Sequence, residues 1–283
     1  MDSWTAIEAS SFLGHWQEED SAFLFFSAPA AQAVGDILRS QPHLRLLDST
    51  QMAYSQWQGA PFAGERIGCF RLALPWGTAA PVGRDDTTAL TVLLDPGLVF
   101  GAGTHPTTRD CLMALELAAV DGAASTALDL GTGTGILALA AALLGSRVLA
   151  VDLNPLAAET AWRNVRLNQL ENKILVIQGK AEETIDRPAD LVVANIHGEV
   201  MLRMMESAGF RQKRRFVLSG LMRSDAKEVR RRLALLGIRI AEEWVHDGIW
   251  HTYYAENPSI RDPRIPEPPG HVWTLSSTAR SII

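Results

Sequence analysis

The nine residues Ala127-Leu128-Asp129-Leu130-Gly131-Thr132-Gly133-Thr134-Gly135, running into an alanine- and leucine-rich stretch to Leu144, leave this chain few choices. A short apolar run meets glycines at alternate positions and then a strong helix former. The order is strand, tight turn, helix. Glycine reaches positive φ without a Cβ clash, so backbone can approach a ligand closely in the turn. The helix behind it presents unpaired N–H groups and a positive dipole end at the same place. In an open α/β sheet a ligand binds in this crevice, outside the carboxyl ends of the strands.

The flanking sequence repeats the unit. Residues 106–120, 135–144, 155–168, 200–208 and 224–236 read as helices, and 127–130, 147–151, 174–178, 191–194 and 216–218 as strands. Strands alternating with helices make a parallel sheet covered on both faces. Residues 238–245 and 250–255 read as closing strands joined by Asp247-Gly248, a hairpin signal that gives the sheet an antiparallel edge. Upstream, 22–27, 44–47, 67–74 and 89–94 read as strands and 29–40 as a helix with Pro29 in its first turn. The expected organisation is a small α+β unit over 1–74, an α/β domain over 75–256 and a tail over 257–283. Pro258, Pro263, Pro266, Pro268 and Pro269 keep that tail from helix or ladder formation.

Composition narrows the function. A hydrophobic share of 47% in 283 residues allows a substantial core, and a net charge of −6 gives no global field attracting nucleic acid or an anionic membrane. The basic runs Arg211, Lys213, Arg214, Arg215 and Arg230, Arg231, Arg232 read as solvated faces. Cys69 and Cys111 match no metal-ligand spacing and read as small buried apolar residues, so no metal is expected. The first residues lack the pattern of a signal peptide, and no run approaches the ~20 apolar residues of a membrane span. A monomeric cytoplasmic enzyme, bound stably to neither membrane nor nucleic acid, is the expectation.

Which ligand does the turn take? A dinucleotide fingerprint needs glycine at its sixth position, which is Ile136 here, and a phosphate loop needs a lysine that is absent. Acidic residues stand in their place. Asp152, ending the next strand, can accept bonds from both ribose hydroxyls of an adenosine. Asp129 can face an ammonium group, directly or through water. S-adenosylmethionine, a cationic sulfonium with no phosphate, suits this set. The bland reading is a structural corner with a capping aspartate. Asn195, at the end of the strand through Ala194, can accept a bond from an amine nucleophile and aim its lone pair. It can equally cap the helix that starts near Gly198.

The stretch Leu94-Asp95-Pro96-Gly97-Leu98-Val99-Phe100-Gly101-Ala102-Gly103-Thr104-His105-Pro106-Thr107-Thr108 closely resembles the segment before the methyltransferase domain in the ribosomal protein L11 methyltransferase (PrmA) family. The similarity continues through the glycine turn, Asp152, Val193-Ala194-Asn195-Ile196 and Leu218-Ser219-Gly220-Leu221, and covers about residues 54–256. The resemblance implies a Rossmann-like class I methyltransferase fold, with a seven-stranded, mostly parallel sheet, a C-terminal antiparallel hairpin and a small N-terminal α+β domain. It implies cofactor contacts at Thr108, Gly131, Asp152 and Asn195, with Phe100 packed nearby, and the turn itself adds Gly133 as a candidate. It implies an amine acceptor, the lysine side chains or N-terminal amine of a ribosomal protein.

The chain also departs from the family pattern. Fewer residues precede the loop motif than is usual, His197-Gly198-Glu199 replace small and apolar residues, and the proline-rich tail is an addition. These leave two alternatives open: the same fold acting on another protein, a nucleic acid or a small molecule, and a cofactor-binding module without transfer. His197 reads as a base or as an exposed helix-start histidine, Glu199 as a contact for a cationic acceptor or dipole complementarity. His105 reads as shaping its loop. Trp57, Trp76 and Trp162 read mostly as packing, with Trp16 and Trp57 also candidates for an acceptor groove.

Overall fold

The computed structural model describes residues 11–18, 21–26, 28–51, 65–75, 89–120, 122 and 124–260. Its centre is a seven-stranded sheet in the spatial order β11-β12-β10-β9-β6-β7-β8. The strands are β6 (Thr126–Leu130), β7 (Arg147–Asp152), β8 (Ile174–Gln178), β9 (Leu191–Asn195), β10 (Arg215–Met222), β11 (Arg239–His246) and β12 (Trp250–Glu256). The five from β8 to β10 run parallel, and β12 and β11 close the edge antiparallel. The chain leaves β6 towards β7 and β8 on one side and returns to β9 and β10 on the other. The point where the direction reverses therefore lies at the carboxyl end of β6, where the glycine turn stands.

The central strands β6, β9 and β10 are buried on both faces, which explains their near-continuous apolar sequences. Successive residues point to opposite sides. Val193 and Val217 join one core with the helices Pro106–Val120 and Ile136–Leu143. Val192, Ala194, Phe216 and Leu218 join the other with the helices Gly198–Met204 and Arg223–Leu235. Residues 136 to 142 are buried on every side of their helix, so its small alanines let it sit hard against the sheet. Helix Pro155–Leu167 begins with proline at its first turn, and Asn154 caps it by accepting from the Leu156 amide at 2.9 Å.

Before this domain core, β1 (Phe12–Glu18) pairs antiparallel with β2 (Ser21–Phe26), and β3 (Arg66–Ile67), β4 (Phe70–Ala73) and β5 (Leu90–Leu93) form a three-stranded sheet. Three expectations are corrected here, and one strand, β1, has no counterpart among them. Residues 44–47 form no strand: Leu46 and Leu47 are 57% and 67% exposed and lack the half-buried pleated surface that strand formers need. The expected single strand over 67–74 is a hairpin, because Gly68 takes φ +56° and reverses the chain between Ile67 and Phe70. Helix Ala31–Ser40 starts after Pro29 rather than with it. β1 carries no clear alternation, and its register shifts between Phe12 and Gly14.

The first basic run is also not a solvated face. Lys213, Arg214 and Arg215 are buried. Lys213 Nζ donates to the Arg187 carbonyl at 2.6 Å, and the Arg215 guanidinium donates to the carbonyls of Ala118 and Gly122. Arg215 thus caps the end of helix Pro106–Val120, where carbonyls lack partners and the dipole favours a cation. In the second run Arg230 and Arg231 are exposed and Arg232 half-buried, and all are engaged: Arg230 bonds Glu243, Arg231 bonds Glu228, and Arg232 bonds Glu228 and Glu206. Trp162 is 40% exposed; Trp57, Trp76, the side chain of Trp16 and residues 261–283 of the tail lie outside the described residues. Among the described residues no helix is long and apolar enough to cross a membrane.

Candidate functional site

Three adjacent strand ends bring the expected residues together. Asp129 lies on β6 one residue before its end, Asp152 ends β7 and Asn195 ends β9. Between them the turn bends through left-handed glycines, with φ +78° at Gly131, +55° at Gly133 and +86° at Gly135. Close approach also demands glycine. A Cβ on Gly131 would stand 2.3 Å from the Ile196 side chain, and one on Gly133 would stand 2.4 Å from the Phe100 carbonyl oxygen.

That second approach shows how the upstream loop reaches the site. The Thr134 amide donates to the Phe100 carbonyl at 3.1 Å, and the Thr134 hydroxyl to the Gly101 carbonyl at 2.8 Å. Asn164, fully buried, donates to the carbonyls of Asp95 and Thr134 at 2.8 Å each and accepts from the Asp95 amide at 2.8 Å. One turn on, Asn168 accepts from the Leu93 amide and donates to the Leu93 carbonyl. Sequence reasoning missed this pair. The available signal is two asparagines spaced i, i+4 on a helix face that should be apolar.

Asp152 accepts from the amides of Gly133 and Asn154, each at 2.9 Å. Burial raises its carboxyl above the ordinary range, and these amides pull it back. Asp129 is buried deeper, at 1% exposure. Its Oδ2 accepts from the Thr132 hydroxyl at 2.6 Å, while its Oδ1 has no partner among the described residues. Burial outweighs the Thr132 bond and pushes its pKa from 3.8 up to about 7. Thr108, 1% exposed in the first turn of helix Pro106–Val120, also holds a hydroxyl with no partner among the described residues. These are two buried side-chain oxygens, one on β6 and one on the helix whose Thr107 bonds Asn195, with capacity left for a polar ligand.

The raised carboxyl fixes a stability effect. The native state keeps the Asp129 proton up to about pH 7, whereas an unfolded aspartate releases it near 3.8. Between those values the native state binds more protons, so stability falls as pH rises, with the full penalty above pH 7. Asp129→Asn removes the penalty. We expect it to raise ligand-free unfolding free energy by a few kcal/mol at pH 8 relative to its effect at pH 4, measured by urea titration at both pH values. Equal effects at the two pH values would rule out a protonated Asp129.

Asn195 is held by Thr107. Its Nδ2 donates to the Thr107 hydroxyl at 3.2 Å, and that hydroxyl also lies 2.7 Å from His105 Nδ1. With Nδ2 engaged, Oδ1 is the atom of the amide left to accept, and it lies next to Gly220. Gly220 leaves room there, since a Cβ on it would lie 2.9 Å from that oxygen. The following helix has His197 at its cap position, so capping does not occupy Asn195. His105 sits edge-on between Phe100 and Trp250, with ring centroids 5.5 and 5.2 Å away. Burial lowers its pKa, so a neutral ring shapes the loop. Phe100 is 57% exposed at the crevice mouth, and His197 and Glu199 are exposed. Among the described residues no cluster of histidine, cysteine or carboxylate could hold a metal ion.

A seven-stranded sheet with a reversed final hairpin and a glycine crevice at its switch point defines a class I methyltransferase fold. The sequence pattern of the ribosomal protein L11 methyltransferase (PrmA) family matches residues 51–257, and the chain belongs to that family. Curated relatives named ribosomal protein L11 methyltransferase include one from Anoxybacillus flavithermus, 41% identical over 184 residues, which are 62% of this chain and 57% of the relative. Another, from Geobacillus kaustophilus, is 39% identical over the same shares. The chain thus spans little more than half the length of these relatives. The crystal structure of a ribosomal protein L11 methylase from Lactobacillus delbrueckii subsp. bulgaricus is 28% identical, with a TM-score of 0.57 over 67% of this chain and 95% of that one.

Proposed function

We propose that this protein transfers methyl groups from S-adenosylmethionine to amine nitrogens of ribosomal protein L11, lysine side chains or the N-terminal amine, as a monomer in the cytoplasm. The observation that carries the reading is the Asn195 amide, held by Thr107 at the strand end beside the glycine turn, with its oxygen next to Gly220. Family membership and the names of the relatives supply the acceptor.

The residues present fit the cofactor. The turn at Gly131 and Gly133 with Asp152 would hold the adenosine. The unpartnered oxygens of Asp129 and Thr108 would meet the amino-acid end, and Phe100 would cover the mouth. When bound, S-adenosylmethionine supplies a methyl carbon already activated by sulfonium. The protein's task is then to orient the acceptor and keep water out. A lysine amine attacks only when neutral, and burial shifts it towards that form. Asn195 Oδ1 accepts one N–H of the amine and fixes where the remaining lone pair points. No dedicated base is required, which agrees with the exposed positions of His197 and Glu199.

The test is incubation with methyl-labelled S-adenosylmethionine and an extract of cells lacking the gene, alongside purified L11. Label on L11 alone supports the proposal. Label on RNA or on a different protein removes the acceptor from it. Cofactor binding with no labelling anywhere leaves a binding module without transfer.

A further inference from the structure

We infer that Asp110 is a positioning residue for Asn195: its buried carboxylate locks the β11–β12 hairpin to the helix whose first turn grips the Asn195 amide. The inference rests on the reading that Asn195 orients the acceptor.

Asp110 lies on helix Pro106–Val120 at 1% exposure, among residues that are otherwise mostly apolar where they face the sheet. Its Oδ1 accepts from His246 Nε2 on β11 at 2.8 Å, and its Oδ2 accepts from the Thr252 hydroxyl on β12 at 3.2 Å. Thr252, fully buried, shares a 2.6 Å hydrogen bond with the hydroxyl of Ser219 on β10. With the Thr252 proton directed to the carboxylate, Ser219 is the donor in that bond.

Both ends of this chain of bonds reach Asn195. Ser219 is the register partner of Asn195 in the β9–β10 ladder, and its carbonyl accepts from the Ile196 amide at 3.2 Å. On the other route, Thr107 stands one helical turn before Asp110 and takes the Asn195 Nδ2 proton. Asn195 is therefore held through the helix on one side and through β10 on the other, and the two routes join at one carboxylate.

A buried carboxylate is costly unless its oxygens are satisfied. Here both oxygens are bonded to the closing hairpin. Apolar packing at this place would hold helix and hairpin together without setting the angle between them, whereas hydrogen bonds fix direction as well as distance. The angle matters because a misplacement of about 1 Å at a reacting group can cost roughly a hundredfold in rate.

The experiment compares Asp110→Leu with Asp110→Asn. The leucine keeps bulk and loses both bonds. The asparagine keeps both, since its oxygen accepts from His246 and its NH2 donates to Thr252, which then donates to Ser219. Asp110→Leu is expected to lower kcat on L11 about thirtyfold with the KM for S-adenosylmethionine within twofold, and Asp110→Asn to recover to within about threefold of wild type. An activity-independent readout is the Asn195 side-chain NH2 resonance pair in substrate-free protein, assigned by its loss in Asn195→Ala. It should move in Asp110→Leu and stay in Asp110→Asn.

A lowered melting temperature with wild-type kcat and unmoved Asn195 resonances makes Asp110 a packing residue and overturns the inference. Should Asp110→Leu not fold, Thr252→Val and Ser219→Ala break the same chain, with expected losses of about three- to tenfold in kcat. Wild-type rates and resonances in both would overturn it equally. If wild type itself does not methylate L11, the functional reading fails, and the resonances alone still decide whether Asp110 sets Asn195.

Discussion

Asn195→Ala is expected to reduce kcat for L11 methylation roughly a hundredfold while the dissociation constant for S-adenosylmethionine changes no more than a few-fold. The side chain touches the site by two atoms with separate duties. Nδ2 is spent on Thr107, at 3.2 Å, and serves only to fix the amide plane. Oδ1 lies beside Gly220, and on the proposed reading it is the atom that accepts the N–H of the amine. Alanine removes that acceptor atom and also releases Thr107. A hundredfold loss corresponds to about 2.7 kcal/mol of transition-state stabilisation, within reach of one oriented hydrogen bond. Asn195→Asp should fail for a different reason: a carboxylate beside the amine favours its protonated form, which has no lone pair to attack with. Its residual rate should therefore rise more steeply with pH than that of wild type. Single-turnover measurements over pH 6 to 10 separate the two variants. A full rate in Asn195→Ala would remove Asn195 from the chemistry.

Much of the α/β domain was legible because each local signal agreed with the next. The glycine turn, the acid at the following strand end and the asparagine after Ala194 sit at fixed intervals that only a parallel sheet brings together, and here all three lie at neighbouring strand ends. The hairpin at Asp247-Gly248 was legible for the same reason, since both residues take positive φ. The less legible features depend on contacts distant in sequence. Whether Lys213 and Arg215 face water is decided by carbonyls at Arg187, Ala118 and Gly122 that need a cation. Whether Leu44 to Leu47 pair as a strand depends on a neighbour that the sequence does not announce. Within the site, Asp110, Thr252 and Ser219 look ordinary one at a time, because each lies on a different element and only the ladder register lines them up. Asn164 and Asn168 escaped for a similar reason: their partners at Asp95 and Leu93 are backbone atoms 69 and 75 residues upstream, and backbone carries no sequence signature.

Gly133→Ala is expected to abolish measurable cofactor binding, raising the dissociation constant more than a hundredfold, and to cost about 2–4 kcal/mol of stability. Two costs add. At φ +55° an L-residue incurs the left-handed penalty of about 1–2 kcal/mol. The new methyl would also lie 2.4 Å from the Phe100 carbonyl oxygen, a backbone atom that cannot rotate away as a side chain could. Relief requires the Phe100 peptide to withdraw. That peptide is tied to the turn through the Thr134 amide, and the Gly133 amide is tied to Asp152. One methyl therefore separates the loop, the turn and the carboxylate proposed to shape the adenosine crevice. Gly248→Ala isolates the first cost. Gly248 also has positive φ, +65°, but a Cβ added there would meet nothing within 4 Å. It should lose only about 1–2 kcal/mol and bind cofactor as wild type does. Urea titration gives the stability terms and calorimetry the affinities. If Gly133→Ala loses no more than Gly248→Ala and keeps its affinity, the close approach of Phe100 to the turn is not what builds the crevice.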